Sequence, residues 1–341
     1  MFSRPPDVAD DMLRDALLGG WNVAATSLTY QAVGFGSHHW LVSTHDGDGL
    51  FVTVDDLAAN MRGATDTAEA AFARLQRAFA TALSLRRDAG LAFVIAPVPA
   101  MDGRVVARLA AGYALVVHPY VTHTHAGRDG EYDASADRLA VLDRLITLHG
   151  ARAEPPETDD FAVPRAAELM AAMRQTGSPW RGGPYGPLAR DLLAAHAADL
   201  SRLLAAYDGL AATVARTRDR MVITHGEPHS ANVLATPAGF VMVDWESVLL
   251  APPERDLWAL AEDDASIPAA YAAATGVAID SDALALYRMW YDLAEIAAYI
   301  SLFREPHGET ADTAESWRNL RHFLRPASRW PSVFSSPDLA R

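Results

Sequence analysis

Residues 225–232 read HGEPHSAN and stand between two apolar runs, MVIT (221–224) and VLAT (233–236). Two histidines, a carboxylate and an amide within eight residues do not suit the interior of a core strand, because each buried polar side chain needs a partner or costs stability. The stretch is a loop, and VLAT, then PAG, then FVMVD make it the entrance to a β-hairpin. After the hairpin comes VDWESVLLAPPERDLW (243–258), which carries Asp244, Glu246 and Asp256. A loop that ends in Asn232 and a hairpin that sets Asp244 just beyond its second strand bring an amide oxygen and a carboxylate to one edge. Hard oxygen donors at such an edge suit Mg²⁺, completed by phosphate oxygens and water. Glu227, five residues before Asn232, falls near such an ion but not on it, where a carboxylate can accept a proton from an attacking hydroxyl. The competing reading is a polar turn without chemistry.

Composition narrows the partners. The chain has 341 residues, enough for two domains or two lobes around one cleft, and a formal net charge of −14. That charge argues against nucleic acid or an anionic membrane as partner, since both need concentrated Lys and Arg, and suits a cationic small molecule. Cysteine is absent, which excludes disulfides, thiolate metal sites and a cysteine nucleophile. Lysine is absent too: every basic side chain is arginine, so Schiff-base chemistry and a lysine-dependent P-loop are excluded. The opening MFSRPPDVADDMLRD lacks the pattern of a signal peptide, and no run reaches the roughly 20 apolar residues of a membrane span, so a cytoplasmic protein is expected.

Along the chain, a helix over about 8–19 precedes three strand-like runs, TSLTYQAV, HHWLVST and LFVTVDDL, separated by GFGS and DGDG. Asp66 to Arg87 has apolar residues at helical spacing, with Asp66 as N-cap and Gly90 as terminator. Two further strands are expected at LAFVIAPV (91–98) and YALVVHPYV (113–121), giving the order β-β-β-α-β-β. From Ala134 onward the pattern turns to long amphipathic helices, interrupted only by the short strands around HGEPHSAN. HTHAGRDGEYD (123–133) reads as the junction. The expected division is residues 1–121, a nucleotide-binding lobe with hinge, and residues 122–341, a helical catalytic and substrate-binding lobe.

The ordered set H-G-E-x-x-x-x-N, a hairpin, then D-W and a second Asp twelve residues later in D-L-W resembles the aminoglycoside phosphotransferase family, whose fold is that of the protein kinases. The element order agrees over nearly the whole chain. APPERDLW and YRMWYDLAEIAAYI look most like actinobacterial spectinomycin-phosphotransferase-like members. The resemblance implies an α+β, bilobal, protein-kinase-like fold with an N-terminal antiparallel sheet and one helix, followed by a mostly helical lobe. It implies transfer of the γ-phosphoryl of ATP or GTP to a hydroxyl of a small cationic molecule, such as an aminoglycoside or aminocyclitol antibiotic. Glu227 then occupies the catalytic Asp position, His225 orders the loop, Asn232 and Asp244 are the Mg²⁺ ligands, and Asp256 is structural.

Further candidates follow from position. GFGSHH (34–39) lies where such a fold covers the phosphates, so Gly34 and Gly36 allow close backbone approach and Ser37 offers a donor, although His39 replaces the third glycine of G-x-G-x-x-G. Val117 and Val121 are candidates for reading adenine at the hinge through their backbone. Asp292 and Glu295, three apart on one helix, are candidates for the ammonium groups of the acceptor, or else partners of nearby arginines. The third strand departs from the family: Thr53 stands where the phosphate-pairing lysine is expected, leaving an arginine such as Arg62 to take over or the nucleotide to bind differently. Two alternatives remain beside the kinase: an inactive nucleotide- or metabolite-binding relative, and a kinase fold repurposed for another biosynthetic reaction.

Overall fold

The computed structural model describes residues 1–333 apart from Phe35, Asp48, Ala126, Asp129, Gly130, Asp133, Ala134, Asp263 and Ser332. In chain order its elements are α1 (Asp10–Trp21), β1 (Ala25–Gln31), β2 (Ser37–Thr44), β3 (Leu50–Asp56), α2 (Ala68–Arg87), β4 (Ala107–Leu109) and β5 (Tyr113–Pro119). The short strands β6 (Thr124–His125), β7 (Gly127–Arg128) and β8 (Glu131–Tyr132) lead to α3 (Ser135–His149), α4 (Ala166–Arg174) and α5 (Gly186–Val214). Then come β9 (Val222–Thr224), β10 (Val233–Thr236), β11 (Gly239–Met242), β12 (Leu249–Ala251), α6 (Glu254–Ala261), α7 (Ser266–Thr275), α8 (Ser281–Arg304), α9 (Ala311–Phe323) and α10 (Pro326–Arg329).

These elements form two compact units: residues 1–61, 66–159 and 219–279 in the first, and residues 62–65, 160–218 and 280–341 in the second. The first unit holds an antiparallel five-stranded sheet in the order β1-β2-β3-β5-β4. Strand alternation assigns its two faces. Val52 and Val54 of β3 join Trp40, Val42, Leu115 and Val117 in a core closed by Leu13, Leu17 and Trp21 of α1. Phe51, Thr53 and Asp55 take the opposite face by the same alternation. There His39 of β2 is paired with Thr53, and His118 of β5 with Phe51.

The expected order β-β-β-α-β-β is observed, with one strand misplaced in the expectation. LAFVIAPV (91–98) is not a sheet strand; the fourth strand is Ala107–Leu109. Pro97 and Pro99 have no N–H to give a ladder, which confines this segment to isolated bonds. Those bonds tie it to the rest of the unit: Ile95 N–H donates to Met242 O at 3.0 Å and Val98 N–H to Val117 O at 2.7 Å. The N-cap of α2 is Thr67, whose hydroxyl accepts Ala70 N–H, while Asp66 accepts Thr67 N–H and pairs with Arg74. Of HTHAGRDGEYD, Thr124–His125 adds a strand to β10, and Ala126, Asp129, Gly130 and Asp133 lie outside the described residues.

The second unit is helical. The long α8 packs on α4, α5 and α9. It buries Leu286, Met289, Leu293, Ile296, Ile300 and Phe303, which recur every three or four residues. Among the described residues no helix is long and apolar enough to cross a membrane.

His118 lies edge-on to Phe79 of α2, with ring centroids 5.6 Å apart. Burial lowers its pKa to about 4, so the ring is neutral in the folded chain. A histidine whose folded pKa lies below its unfolded value stabilises above about pH 6.5, and that contribution is lost as pH falls toward the folded pKa. His118→Gln is therefore expected to flatten the loss of stability between pH 6.5 and pH 4.5 in urea denaturation. An acid limb as steep as that of the unaltered protein would show that His118 does not titrate this way.

Candidate active site

HGEPHSAN joins β9 to the β10–β11 hairpin, and it hangs from one carboxylate. Asp256, wholly buried on α6, accepts His225 N–H at 2.8 Å on Oδ2 and Gly226 N–H at 2.6 Å on Oδ1. The ring of His149 at the end of α3 bonds Oδ2 through Nε2 at 3.0 Å, and its Nδ1 meets Tyr271 Oη at 2.9 Å. Burial alone raises a carboxyl pKa. Here the His149 hydrogen bond, with neighbouring His149, His225 and Arg255, outweighs it, and Asp256 stays below the usual carboxylate range.

Two neighbours complete the anchorage. Buried Arg255 donates to Thr224 Oγ1 at 2.9 Å and to Ser247 O at 2.8 Å, tying the strand before the loop to the segment after the hairpin. Gly226 has φ +101°, and a Cβ there would lie 2.5 Å from the Arg255 guanidinium. Glycine is thus required twice, for backbone and for space.

His225 is buried, with its ring edge-on to Trp245 at 4.6 Å. Its Nε2 reaches Val243 O at 2.8 Å, and its Nδ1 accepts Glu227 N–H at 3.3 Å. One nitrogen donates and the other accepts, which defines the neutral Nε2–H tautomer. The pKa lowered by burial agrees. His225 therefore ties the start of the loop to the residue after the hairpin.

Asn232 donates through Nδ2 to Glu227 O at 3.1 Å, and its own carbonyl accepts Val243 N–H at 3.0 Å. With the amide nitrogen spent on the loop, the Oδ1 is the atom left to accept or to ligate. Asp244 sits at φ +66°, in the left-handed region, at the start of the Trp245–Ser247 turn. The carboxylate of Glu227 is 38% exposed and lies 3.9 Å from His229 Nε2, too far for a hydrogen bond. Burial lowers the pKa of His229, against the pull of Glu227, so no imidazolium neutralises the glutamate.

Electrostatics single out a group of acids. Asp244 keeps surface open to solvent yet is recessed among protein atoms; desolvation, then Glu227 and Asp55, push its pKa up to about 7. Glu246 is raised by burial and by Asp244, Asp55 and Glu227. Asp55 is fully buried and raised by that burial to about 6, although Ser37 Oγ donates to its Oδ1. Its Oδ2 has no hydrogen-bond partner among the described residues. This surplus of negative charge fits a divalent cation held by Asn232 Oδ1 and Asp244. Among the described residues no set of three His, Cys, Asp or Glu could hold a metal unaided. A cation held by these two residues would need phosphate and water to complete its shell.

The other sequence candidates fall as follows. Gly34 (φ +69°) and Gly36 (φ +100°) form the turn between β1 and β2, around Phe35, which lies outside the described residues. Ser37 is buried and its hydroxyl proton is committed to Asp55. Thr53 meets His39 Nδ1 at 3.3 Å. Val117 is in the core, with its carbonyl accepting Val98 N–H; the carbonyl of Val121 is 2.7 Å from His123 Nδ1. Arg62 belongs to the helical unit, where its carbonyl accepts Arg165 N–H.

Also in that unit, Asp292 is buried and both of its oxygens are engaged. Arg329 donates at 2.6 and 2.7 Å and Trp330 Nε1 at 2.8 Å. Its partner is thus Arg329, from beyond α9, and not the neighbouring Arg288. Glu295 is half-buried and hydrogen-bonded to Tyr299 one turn on.

The sequence alone does not single out Asp55, His149 or Arg255, and it shows His39 only as the replacement for a glycine. Asp55 had a signal, since Phe51, Thr53 and Asp55 alternate onto one strand face. His149 and Arg255 had none, because their partners lie 107 and 31 residues away in sequence.

Asp256→Ala leaves two backbone N–H groups and His149 without an acceptor, and is expected to cost about 3–5 kcal/mol. Urea denaturation at neutral pH measures it. A cost under about 1 kcal/mol would mean that the loop is held elsewhere.

The comparisons with known proteins converge. The model of the phosphotransferase enzyme family, APH, matches residues 40–299. Protein StrN of Streptomyces griseus is 32% identical over 251 residues, covering 70% of this chain and 74% of that one. Among solved structures, spectinomycin phosphotransferase APH(9)-Ia in complex with ADP and spectinomycin superposes with a TM-score of 0.72 at 14% identity, over 96% of this chain and 98% of that one. A thermostable mutant of aminoglycoside phosphotransferase APH(4)-Ia, with AMP-PNP and hygromycin B, gives 0.52 at 12% identity, over 93% and 99%. The chain has the α+β, kinase-like fold of these structures and belongs to the phosphotransferase enzyme family.

Proposed function

We propose that this protein transfers the γ-phosphoryl group of ATP or GTP to a hydroxyl of a small cationic molecule of the aminoglycoside or aminocyclitol kind. The observation that carries this reading is the placement of Glu227, Asn232 and Asp244 around one loop, whose backbone N–H groups are spent on Asp256 and His225. Such a loop holds its side chains in place before substrate arrives, and phosphoryl transfer needs little beyond positioning and charge. Asn232 and Asp244 would hold Mg²⁺, which supplies neutralisation of phosphate charge.

Glu227 orients the acceptor hydroxyl and takes its proton. The partly exposed, unpaired carboxylate suits a base that must meet a substrate. The net charge of −14 favours a cationic acceptor.

The missing lysine favours a second reading, a relative that binds nucleotide without transferring phosphate. Thermal-shift titration with ATP and GTP, with and without Mg²⁺, followed by transfer assays on spectinomycin, aminoglycosides and simple alcohols, separates the two. Mg²⁺-dependent stabilisation and a phosphorylated product are expected. Binding without product on any acceptor would favour the second reading, and no binding at millimolar nucleotide would remove both.

Glu227→Gln keeps the size and loses the base, and kcat is expected to fall roughly 100- to 10,000-fold with nucleotide affinity retained. Full activity in that variant would remove Glu227 from the role. Asp244→Asn is expected to abolish the Mg²⁺-dependent part of nucleotide binding, read by titrating the cation at fixed nucleotide. An unchanged cation dependence would place the ion elsewhere.

A further inference from the structure

Where the family resemblance expects a lysine, Thr53 faces His39 across β2 and β3, Oγ1 to Nδ1 at 3.3 Å. The imidazole is stacked on Phe51, with centroids 5.1 Å apart and planes at 24°. Thr53 and Phe51 therefore fix the ring from its Nδ1 edge and one flat side. The opposite edge abuts the glycine turn, for a Cβ built on Gly34 would lie 3.3 Å from His39 Nε2. The same strand face carries the Ser37–Asp55 pair, and Asp55 lies within the field of Asp244. His39 thus stands beside a turn able to approach phosphate through its backbone, on the strand face that also carries Asp55.

We propose that His39 Nε2–H donates directly to a phosphate oxygen of the nucleotide, in the place that the absent lysine leaves; the proposal rests on the phosphoryl-transfer reading above. The Thr53 hydroxyl can donate to Nδ1, and in that tautomer the ring proton lies on Nε2, the edge beside the glycine turn. A neutral donor also suits the free protein. Burial, reinforced by neighbouring positive groups, holds the ring near pKa 3, so the sheet does not bury an unpaired cation beside Phe51. The difference from lysine is functional, because imidazole contributes a directed hydrogen bond and not a full charge.

The test compares His39→Gln, His39→Asn, His39→Ala and His39→Ala/Thr53→Lys for Kd of Mg²⁺-nucleotide by calorimetry, and for kcat and both KM values. A glutamine amide can reproduce the Nε2 donor and an asparagine amide reaches only the Nδ1 position. His39→Gln is therefore expected to stay within a fewfold of the parent. His39→Asn and His39→Ala should weaken nucleotide binding roughly 10- to 100-fold with the acceptor KM unchanged. The double variant should regain nucleotide affinity through the new ammonium.

If the parent binds nucleotide and the Ala and Asn variants bind it equally well, the proposal falls while the phosphotransferase reading stands. Equal weakening in the Gln and Asn variants would mark His39 as a packing residue and overturn it too. If the parent itself binds neither nucleotide, the phosphoryl-transfer reading fails and this proposal with it. Should the Ala variant not fold, the Gln–Asn contrast decides alone.

Discussion

The Asp256 carboxylate is the contact on which the candidate site depends. Two backbone N–H groups of the 225–232 loop and one buried histidine ring converge on its two oxygens. An unpaired carboxylate in that place would be expensive, and so would two unpaired amides. Together they cancel each other's cost and leave the loop one conformation. Arg255, the residue before Asp256, extends the same logic to the flanking strands through Thr224 and Ser247. The dipeptide Arg255-Asp256 thus holds the site from behind, while Glu227 and Asp244 keep surface for substrate.

Charge on the sheet side of the site is arranged in an unusual balance. Asp55, Asp244 and Glu246 all have raised pKa values, while His39, His118 and His225 all have lowered ones. An acid with a raised folded pKa takes up a proton on folding, so its penalty is relieved as pH falls. A histidine with a lowered folded pKa releases one, and its contribution is lost as pH falls. Between about pH 4 and pH 6 the two groups act in opposite directions. Acids that resist ionisation and histidines that resist protonation thus stand in the same unit, and a bound cation would favour the ionised form of the acids.

Much of this was legible in the sequence, and the remainder was hidden for identifiable reasons. The loop, the hairpin and the element order followed from polarity breaks and periodicity, which are local properties. Val52, Thr53, Val54 and Asp55 alternate so regularly that β3 was readable at sight, yet the same alternation also announced an acid on the Thr53 face and was not followed. LAFVIAPV has the composition of a strand, but two prolines remove the donors that a ladder needs, and three residues of ARL took the place instead. The least visible features were pairings across long stretches of chain. His149 with Asp256 and Asp292 with Arg329 leave no periodic trace, because a hydrogen bond between distant residues constrains two positions and no spacing.

Glutamate in the position of an aspartate is best understood through the same framework. The extra methylene carries the carboxylate further from the backbone and adds one rotatable bond, so that a base on a mobile loop would lose positional precision. Here the N–H groups of His225, Gly226 and Glu227 are all committed inward, and the Glu227 carbonyl is held by Asn232. The backbone beneath the side chain is therefore fixed on both sides of the Cα, and only the side-chain torsions remain. His229 narrows these further by standing beside the carboxylate without neutralising it. If Glu227 is the base of the proposed transfer, a rigid mount with a slightly longer arm would reach an acceptor hydroxyl that a shorter arm on the same mount would miss. On this view the residue change alters which hydroxyl is within reach more than whether a base is present.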